Sequence, residues 1–364
     1  MRRVIRHTSK RTPWFFNSEI KPTNVSLVIP LTTLNTHLAN NEITDQKKDL
    51  AEAKRLTNLI INQDPTKVSW LQDSALLAWL DQLEKVADSD VPEKLRAALS
   101  GLAPTTAMLP YGHADLTALV RADQQDGLTD AINQTRLASG DRQIFYTPTQ
   151  GIADRETVSL LTQQGVRSIV SNDFLRGNER ETTSAVVTSA SNPVLVHDLG
   201  TSSCLPNADK DDASFFAAIT CIKSEIGMMT AESPQNSRTV IVLAPTKWKI
   251  SNERLSALLS VLSDHNWMQL TTLDLVAATA PTCCVARVRR STRWQHAADP
   301  HPAAAPPRES RPASRSHDDC SWLGGSLRSG QRRFRRFLDL IPNAQEVAAP
   351  QLGNVGFGIT ARDQ

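Results

Sequence analysis

The sequence predicts an α/β fold: an irregular (β/α) barrel-like domain of about seven to eight mostly parallel strands. Two observations predict it. Between about residues 24 and 275, short apolar, β-branched runs recur, each stopping at a polar or Pro/Gly cluster. A helix-period segment follows each run before the next begins. Strands alternating with helices imply a parallel sheet, because a covering helix returns the chain to start another strand in the same direction. Such folds gather their chemistry at the carboxyl ends of the strands.

The first strand, Asn24-Val25-Ser26-Leu27-Val28-Ile29, ends at Pro30, and a helix follows over residues 43–63 with apolar residues on one face at its end. Strand two, residues 67–71, runs into Asp73, where Ser74 opens a helix towards Val86. A second, amphipathic helix crosses residues 91–99. Strand three, residues 105–109, breaks at Pro110-Tyr111-Gly112-His113-Ala114-Asp115, and helices follow over 116–121 and 128–137. Strand four, residues 143–147, ends in Pro148-Thr149-Gln150-Gly151-Ile152-Ala153-Asp154. The next helix, 155–164, stops at Gly165, a usual place for a C-terminal glycine.

Strand five, residues 166–170, reaches Ser171-Asn172-Asp173. Residues 185–189 and 193–196 read as a strand pair or one broken strand ending at His197-Asp198. A helix over 213–229, a strand over 239–243, the loop Pro245-Thr246-Lys247-Trp248, a helix over 252–262 and a short strand near 268–273 complete the domain.

Three segments result: an irregular basic lead-in (1–23), the barrel-like domain (24–280) and a tail (281–364) rich in Arg, Pro and Ala. The tail reads as disordered, because it lacks the apolar surface to offset chain entropy; one short helix is expected over 332–340. All 13 basic Lys or Arg residues beyond Ala280 are Arg, out of 40 in the chain. That change at Pro281 fits either a natural basic tail or translation of an altered reading frame.

The formal charge of +2 over 364 residues argues against general nucleic-acid affinity. No window holds the roughly 18 apolar residues of a membrane span. Polar residues follow the basic start Met1-Arg2-Arg3, so no signal peptide is read there. Cys204 and Cys221 fall within the domain, while Cys283, Cys284 and Cys320 match no zinc spacing and leave the redox compartment undecided. No Gly-x-Gly-x-x-Gly follows a strand, and no nucleophile elbow surrounds Ser202 or Ser203. No cofactor is expected, and the oligomeric state is not readable.

The candidate catalytic residues at the strand ends are Asp73, His113, Asp115, Asp173, His197 and Asp198, with Asp154 and Lys247 beside them. Converging carboxyls and imidazoles suit acid/base work, or a divalent metal on Asp73, His113, Asp115 and His197. A metal deacetylase, however, needs paired acids on the first strand, which ends here in Ile29-Pro30-Leu31-Thr32. A glycosidase needs two carboxyls flanking the scissile bond; Asp73, Asp173 and Asp198 could supply them. The plainer alternative for Asp73, Asp115 and Asp154 is helix capping, since each precedes an apolar-periodic helix.

Three stretches carry a resemblance in their order. They are Asn24 to Leu31, Val68-Ser69-Trp70-Leu71-Gln72-Asp73-Ser74, and Leu109-Pro110-Tyr111-Gly112-His113-Ala114-Asp115, with the Pro148…Gly151…Asp154 turn after them. Over about residues 20–280 the chain resembles an uncharacterised actinobacterial family of cell-envelope proteins. That family is a domain of unknown function often encoded beside the lipid II flippase. The resemblance implies an extracytoplasmic, membrane-anchored protein, and against that family this chain reads as truncated. It carries over no catalytic residues. The expectation is a binding or scaffolding module in cell-wall assembly, with cell-wall glycan or envelope proteins as partners. The alternative is a carbohydrate-active hydrolase or deacetylase on a distorted (β/α) barrel.

Overall fold

A computed structural model of the chain describes residues 20–33, 43–102, 106–176, 185–189, 192–279, 282–285 and 287–288. The lead-in before residue 20 and the helix expected over 332–340 lie outside the described residues.

Strand β1 (Thr23–Leu31) leads to α1 (Gln46–Ile61), which Asp45 caps by accepting the Lys48 amide. Next come β2 (Ser69–Asp73), α2 (Ala75–Val86), α3 (Val91–Leu102) and β3 (Ala107–Leu109). After a 3-10 turn at Tyr111–His113 follow α4 (Leu116–Arg121), α5 (Gln125–Ser139) and β4 (Ile144–Tyr146). Helix α6 (Arg155–Gln163) leads through Gly165, at φ 68, into β5 (Val166–Ser171). A short β6 (Leu175–Arg176) precedes β7 (Val186–Ser189) and β8 (Asn192–His197). The remaining elements are α7 (Leu199–Ser202), α8 (Asp212–Glu232), β9 (Arg238–Leu243), α9 (Asn252–Ser263), β10 (Met268–Leu270), α10 (Leu273–Ala278), β11 (Thr282–Val285) and β12 (Arg287–Val288).

Strands β1, β2, β3, β4, β5, β8 and β9 pair in parallel in that order, and β9 returns to β1. The result is a closed barrel of seven parallel strands, the α/β barrel expected. Strand β10 pairs with Thr23, Asn24 and Val25 of β1, the part of that edge that β2 leaves open. Of the two readings for residues 185–196, the pair is observed: β7 lies antiparallel to β8, outside the closed ring. Past the expected boundary at 280, β11 pairs with β7, and β12 pairs antiparallel with β6.

Alternation along the strands separates two layers of core. Val28, Leu71, Leu109, Phe145, Ile169, Leu195 and Ile241 form one buried cluster inside the barrel. Their neighbours in sequence point outwards: Leu27, Ile29 and Trp70 pack under α1, α2, α8 and α9, and Met108, Ile144 and Tyr146 pack under α5 and α6. Each of these buried side chains contributes about 1.5–3 kcal/mol by leaving water.

The final strand expected near 268–273 is corrected: it stops at Leu270, and α10 starts at Leu273. Leu273 and Val276 join the interior cluster, the Leu273 amide donates to Ser69 Oγ at 2.7 Å, and Arg167 donates to the Ala277 carbonyl at 2.9 Å. Helix α10 thus plugs the amino-terminal mouth of the barrel, and burial there outweighs strand continuation. Helix α7 is unexpected from the sequence, and just beyond it Cys204 is joined by a disulfide to Cys221 of α8, with Cα atoms 5.7 Å apart.

Candidate functional site

With the amino-terminal mouth plugged, the other end of the barrel is the carboxyl-terminal rim. Two residues beyond the interior cluster, the same inward parity reaches Asp73 on β2, Thr147 after β4, Ser171 on β5 and His197 on β8. All four are buried. Ser171 and His197 are direct partners in the sheet register.

Asp73 differs from the other strand-end acids. Its Oδ1 accepts the Ala75 amide at 2.9 Å and the Gly112 amide, from the next strand's loop, at 3.0 Å. The latter bond needs the backbone to turn left-handed at Gly112 (φ 64) and His113 (φ 50). A left-handed histidine stores about 1–2 kcal/mol of strain. The turn also sets His113 Nε2 2.9 Å from Thr147 Oγ1. Burial is the main influence on Asp73, pushing its carboxyl up to about 6 against the lowering effect of the Ala75, Gly112 and His113 amides.

His197 lies across the rim, 5% exposed. Burial drives its imidazole down to about 4, opposed by the adjacent Asp198 carboxylate. Its Nδ1 is 3.3 Å from Ser202 Oγ, and that hydroxyl accepts the Leu243 amide at 3.0 Å. Gly151, at φ 71, presses its backbone against this corner. A Cβ there would stand 2.6 Å from Ser171 Cβ and 3.1 Å from His197 Nε2. Burial also lowers His113, with Asp115 opposing.

The other acids are occupied. Asp115 caps α4 through the Ala118 amide at 3.0 Å and accepts the Tyr146 hydroxyl at 2.9 Å and the Thr149 hydroxyl at 3.0 Å. Burial alone would raise it, but these donors together hold it below the usual carboxylate range. Asp154 caps α6 and pairs with Arg121 at 3.0 Å; burial raises it, and the Thr157 amide and Arg121 outweigh that. Asp198 caps α7, accepting the Thr201 amide at 2.7 Å and the Asn172 side-chain amide at 2.6 Å. Asp173 is exposed in a 3-10 turn, and Lys247 is exposed on the loop after β9.

Of the candidates, then, Asp73, His113 and His197 turn to the rim; the Asp115 and Asp198 carboxylates serve helix starts, and Asp173 faces solvent. Thr147, Gly151, Ser171 and Ser202 join the first three; the sequence raised Ser202 only as a nucleophile without an elbow and Gly151 only as part of a turn, and it did not single out Thr147 or Ser171. Strand parity from Phe145 and Ile169 would have pointed to Thr147 and Ser171. Ser202 carries no such signal, because its partners come from β8 and β9.

Chemically, the rim offers one inward carboxyl titrating near 6, two imidazoles neutral at pH 7, and hydroxyls. Among the described residues, no group of three or more His, Cys, Asp and Glu side chains is placed to hold a metal ion. A cavity of about 370 Å³ lies elsewhere, between Asn62, Gln63 and Asp64 after α1 and Ser256, Ser260 and Ser263 on α9. It contains none of the rim residues. Among the described residues, no helix is long and apolar enough to cross a membrane.

A family model described as "Family of unknown function (DUF6049)" matches residues 15–347. The chain belongs to this family. The DUF6049 match continues past Pro281 and covers most of the arginine-rich tail. No curated protein matches the chain. Among solved structures, a 4-alpha-glucanotransferase from Thermococcus litoralis is similar at TM-score 0.51 and 12% identity. That match covers 74% of this chain and 42% of the glucanotransferase, so the chain spans less than half its length. The alpha-amylase AmyC from Thermotoga maritima matches at TM-score 0.50 and 7% identity, over 74% of this chain and 77% of that one. A probable polysaccharide deacetylase from Pseudomonas aeruginosa PAO1 matches at 0.45 and 12%, over 70% and 89%. At these identities the first two likenesses establish the barrel fold and nothing further.

Proposed function

We propose that this chain is a binding or scaffolding module for cell-wall glycan, with the barrel rim as its ligand surface. One observation carries the reading: Asp115, Asp154 and Asp198 are spent on helix starts and Asp173 faces solvent, so that among the described strand-end acids Asp73 alone turns inwards at the rim. Displacement at a glycosidic bond calls for two carboxyls about 5–9.5 Å apart, one on each side. Hydroxyls, neutral imidazoles and one carboxyl instead make a hydrogen-bonding surface suited to sugars.

The reading places the protein outside the cytoplasm, in the envelope, as the family resemblance implies. The Cys204–Cys221 disulfide supports that location, because such bonds persist in oxidising compartments. The family match reaching residue 347 favours a natural tail over an altered reading frame. Translating the gene in its other two frames past codon 280 checks this; a continued family-like sequence there would reverse it.

Calorimetric titration of the full-length chain with soluble peptidoglycan fragments tests the module. Binding is expected, weakened at least tenfold by Asp73→Ala or His197→Ala in variants that still melt cooperatively. Turnover of the fragments, seen as new reducing ends or released acetate and abolished by Asp73→Ala, would replace this reading with the second one. That second reading is a carbohydrate-active hydrolase or deacetylase, and what favours it is Asp73 itself: a buried carboxyl titrating near 6 suits a general acid.

A further inference from the structure

We infer that Ser202 locks His197 in one tautomer, so that its Nε2–H is a fixed donor for an uncharged acceptor oxygen of the glycan. The inference rests on the rim being the glycan surface proposed above.

The proton accounting runs through Ser202. Its Oγ accepts the Leu243 main-chain amide, a group that can only donate, at 3.0 Å. The hydroxyl's own proton then has one acceptor among the described residues, His197 Nδ1 at 3.3 Å. An imidazole that accepts at Nδ1 and is neutral carries its proton on Nε2. That nitrogen belongs to an inward-facing side chain, 5% exposed, and no hydrogen bond joins it to another side chain of the described residues.

The surroundings select what completes it. A side chain at position 151 would begin 3.1 Å from Nε2 and 2.6 Å from Ser171 Cβ, so the Gly151 backbone closes that side of the ring and leaves the rim side for a ligand. Asp73 is the acid of this rim, and the inward positions Asp73, Thr147, Ser171 and His197 include no Lys or Arg. An anionic oxygen would meet a carboxylate and no cation among these positions, whereas a neutral oxygen avoids that repulsion and still finds donors. Two parts of a glycan supply such an oxygen, a ring hydroxyl or an acetamido carbonyl.

Histidine-selective 15N labelling of the full-length chain reads the tautomer directly by NMR. The free protein should show His197 protonated at Nε2 and bare at Nδ1. Ser202→Ala should mix the tautomers and weaken binding about tenfold, and Ser202→Thr should restore both. Titration with two oligosaccharides of the same linkage, chitotriose and cellotriose, then names the oxygen. An Nε2–H shift with chitotriose alone indicates the amide carbonyl, and a shift with both indicates a hydroxyl. A wild-type ring protonated at Nδ1 overturns the inference without any variant. Oligosaccharide binding that leaves Nε2–H unmoved overturns it too, while the glycan reading survives. Absence of binding to these sugars and to peptidoglycan fragments overturns both.

Discussion

Replacing Asp73 by asparagine should stabilise the protein at neutral pH. The Ala75 and Gly112 amides, the two within hydrogen-bond distance of the carboxyl, donate to one oxygen, Oδ1, which asparagine keeps. Burial raises the folded-state pKa from 3.8 to about 6, so the folded chain binds this proton more tightly than the unfolded chain. The stability linked to it is fully present below about pH 4 and is lost as pH rises through 6. About two units at about 1.36 kcal/mol each give about 3 kcal/mol, which the wild type forgoes at pH 7 and the asparagine variant does not. For a domain of this size that is roughly 6–12 °C in Tm. His197 runs the other way. Its pKa falls from 6.5 to about 4, so its contribution is present above 6.5 and lost as pH drops through 4. The two trends oppose each other between about pH 4 and 6, and wild-type melting should be nearly flat there. Thermal unfolding of both full-length proteins at pH 4, 5, 6 and 7 is the assay. The curves should nearly coincide at pH 4 and separate towards pH 7, with the variant alone showing the histidine's acid loss. An offset equal at pH 4 and pH 7, or a variant less stable at pH 7, would refute the reasoning.

Gly151→Ala should destabilise by at least about 2 kcal/mol, because the added Cβ meets Ser171 Cβ at 2.6 Å on a left-handed backbone; denaturant melts report it. Opening the Cys204–Cys221 bridge, which closes a sequence separation of 17, should cost about 3 kcal/mol, read as a Tm drop with reductant that a Cys221→Ser variant no longer shows. Tyr146→Phe removes the hydroxyl that donates to Asp115 at 2.9 Å and accepts the Thr117 amide at 3.0 Å, and should lose about 1–3 kcal/mol in the same melts.

Much of the fold was legible because parallel barrels write themselves locally: each strand is a short apolar run and each return helix has its own period and cap. Asp115 and Asp154 could be read as caps for that reason, since the donor amides lie only three residues on, at Ala118 and Thr157. Where reading failed, the decisive partner came from far along the chain. The run Leu273-Asp274-Leu275-Val276 suits strand or helix equally, and its helical state follows from the barrel mouth it fills, anchored on Ser69. Helix α7 spans only Leu199–Ser202, too short to show a period, so the capping role of Asp198 was hidden. Ser202 meets a nitrogen on β8 and an amide on β9, a pairing no spacing announces.

Asp73 shows how one residue type at one kind of position divides into two roles. Like Asp115, Asp154 and Asp198, it stands between a strand end and a helix start. For those three, the residue lies clear of the strand and its side chain folds forward onto the helix amides. Asp73 is still inside β2, in register with Leu109, so strand alternation sends its carboxyl inwards after Ser69 and Leu71. Ser74, which takes the cap position of α2, makes no side-chain capping bond. The carboxyl still serves the helix, accepting the amide of Ala75, the first residue of α2, but it does so from a buried place that raises its pKa. Held inside the strand, this aspartate bonds a helix amide from a place where burial makes its ionisation costly, and it is the acid that the proposed ligand surface would use.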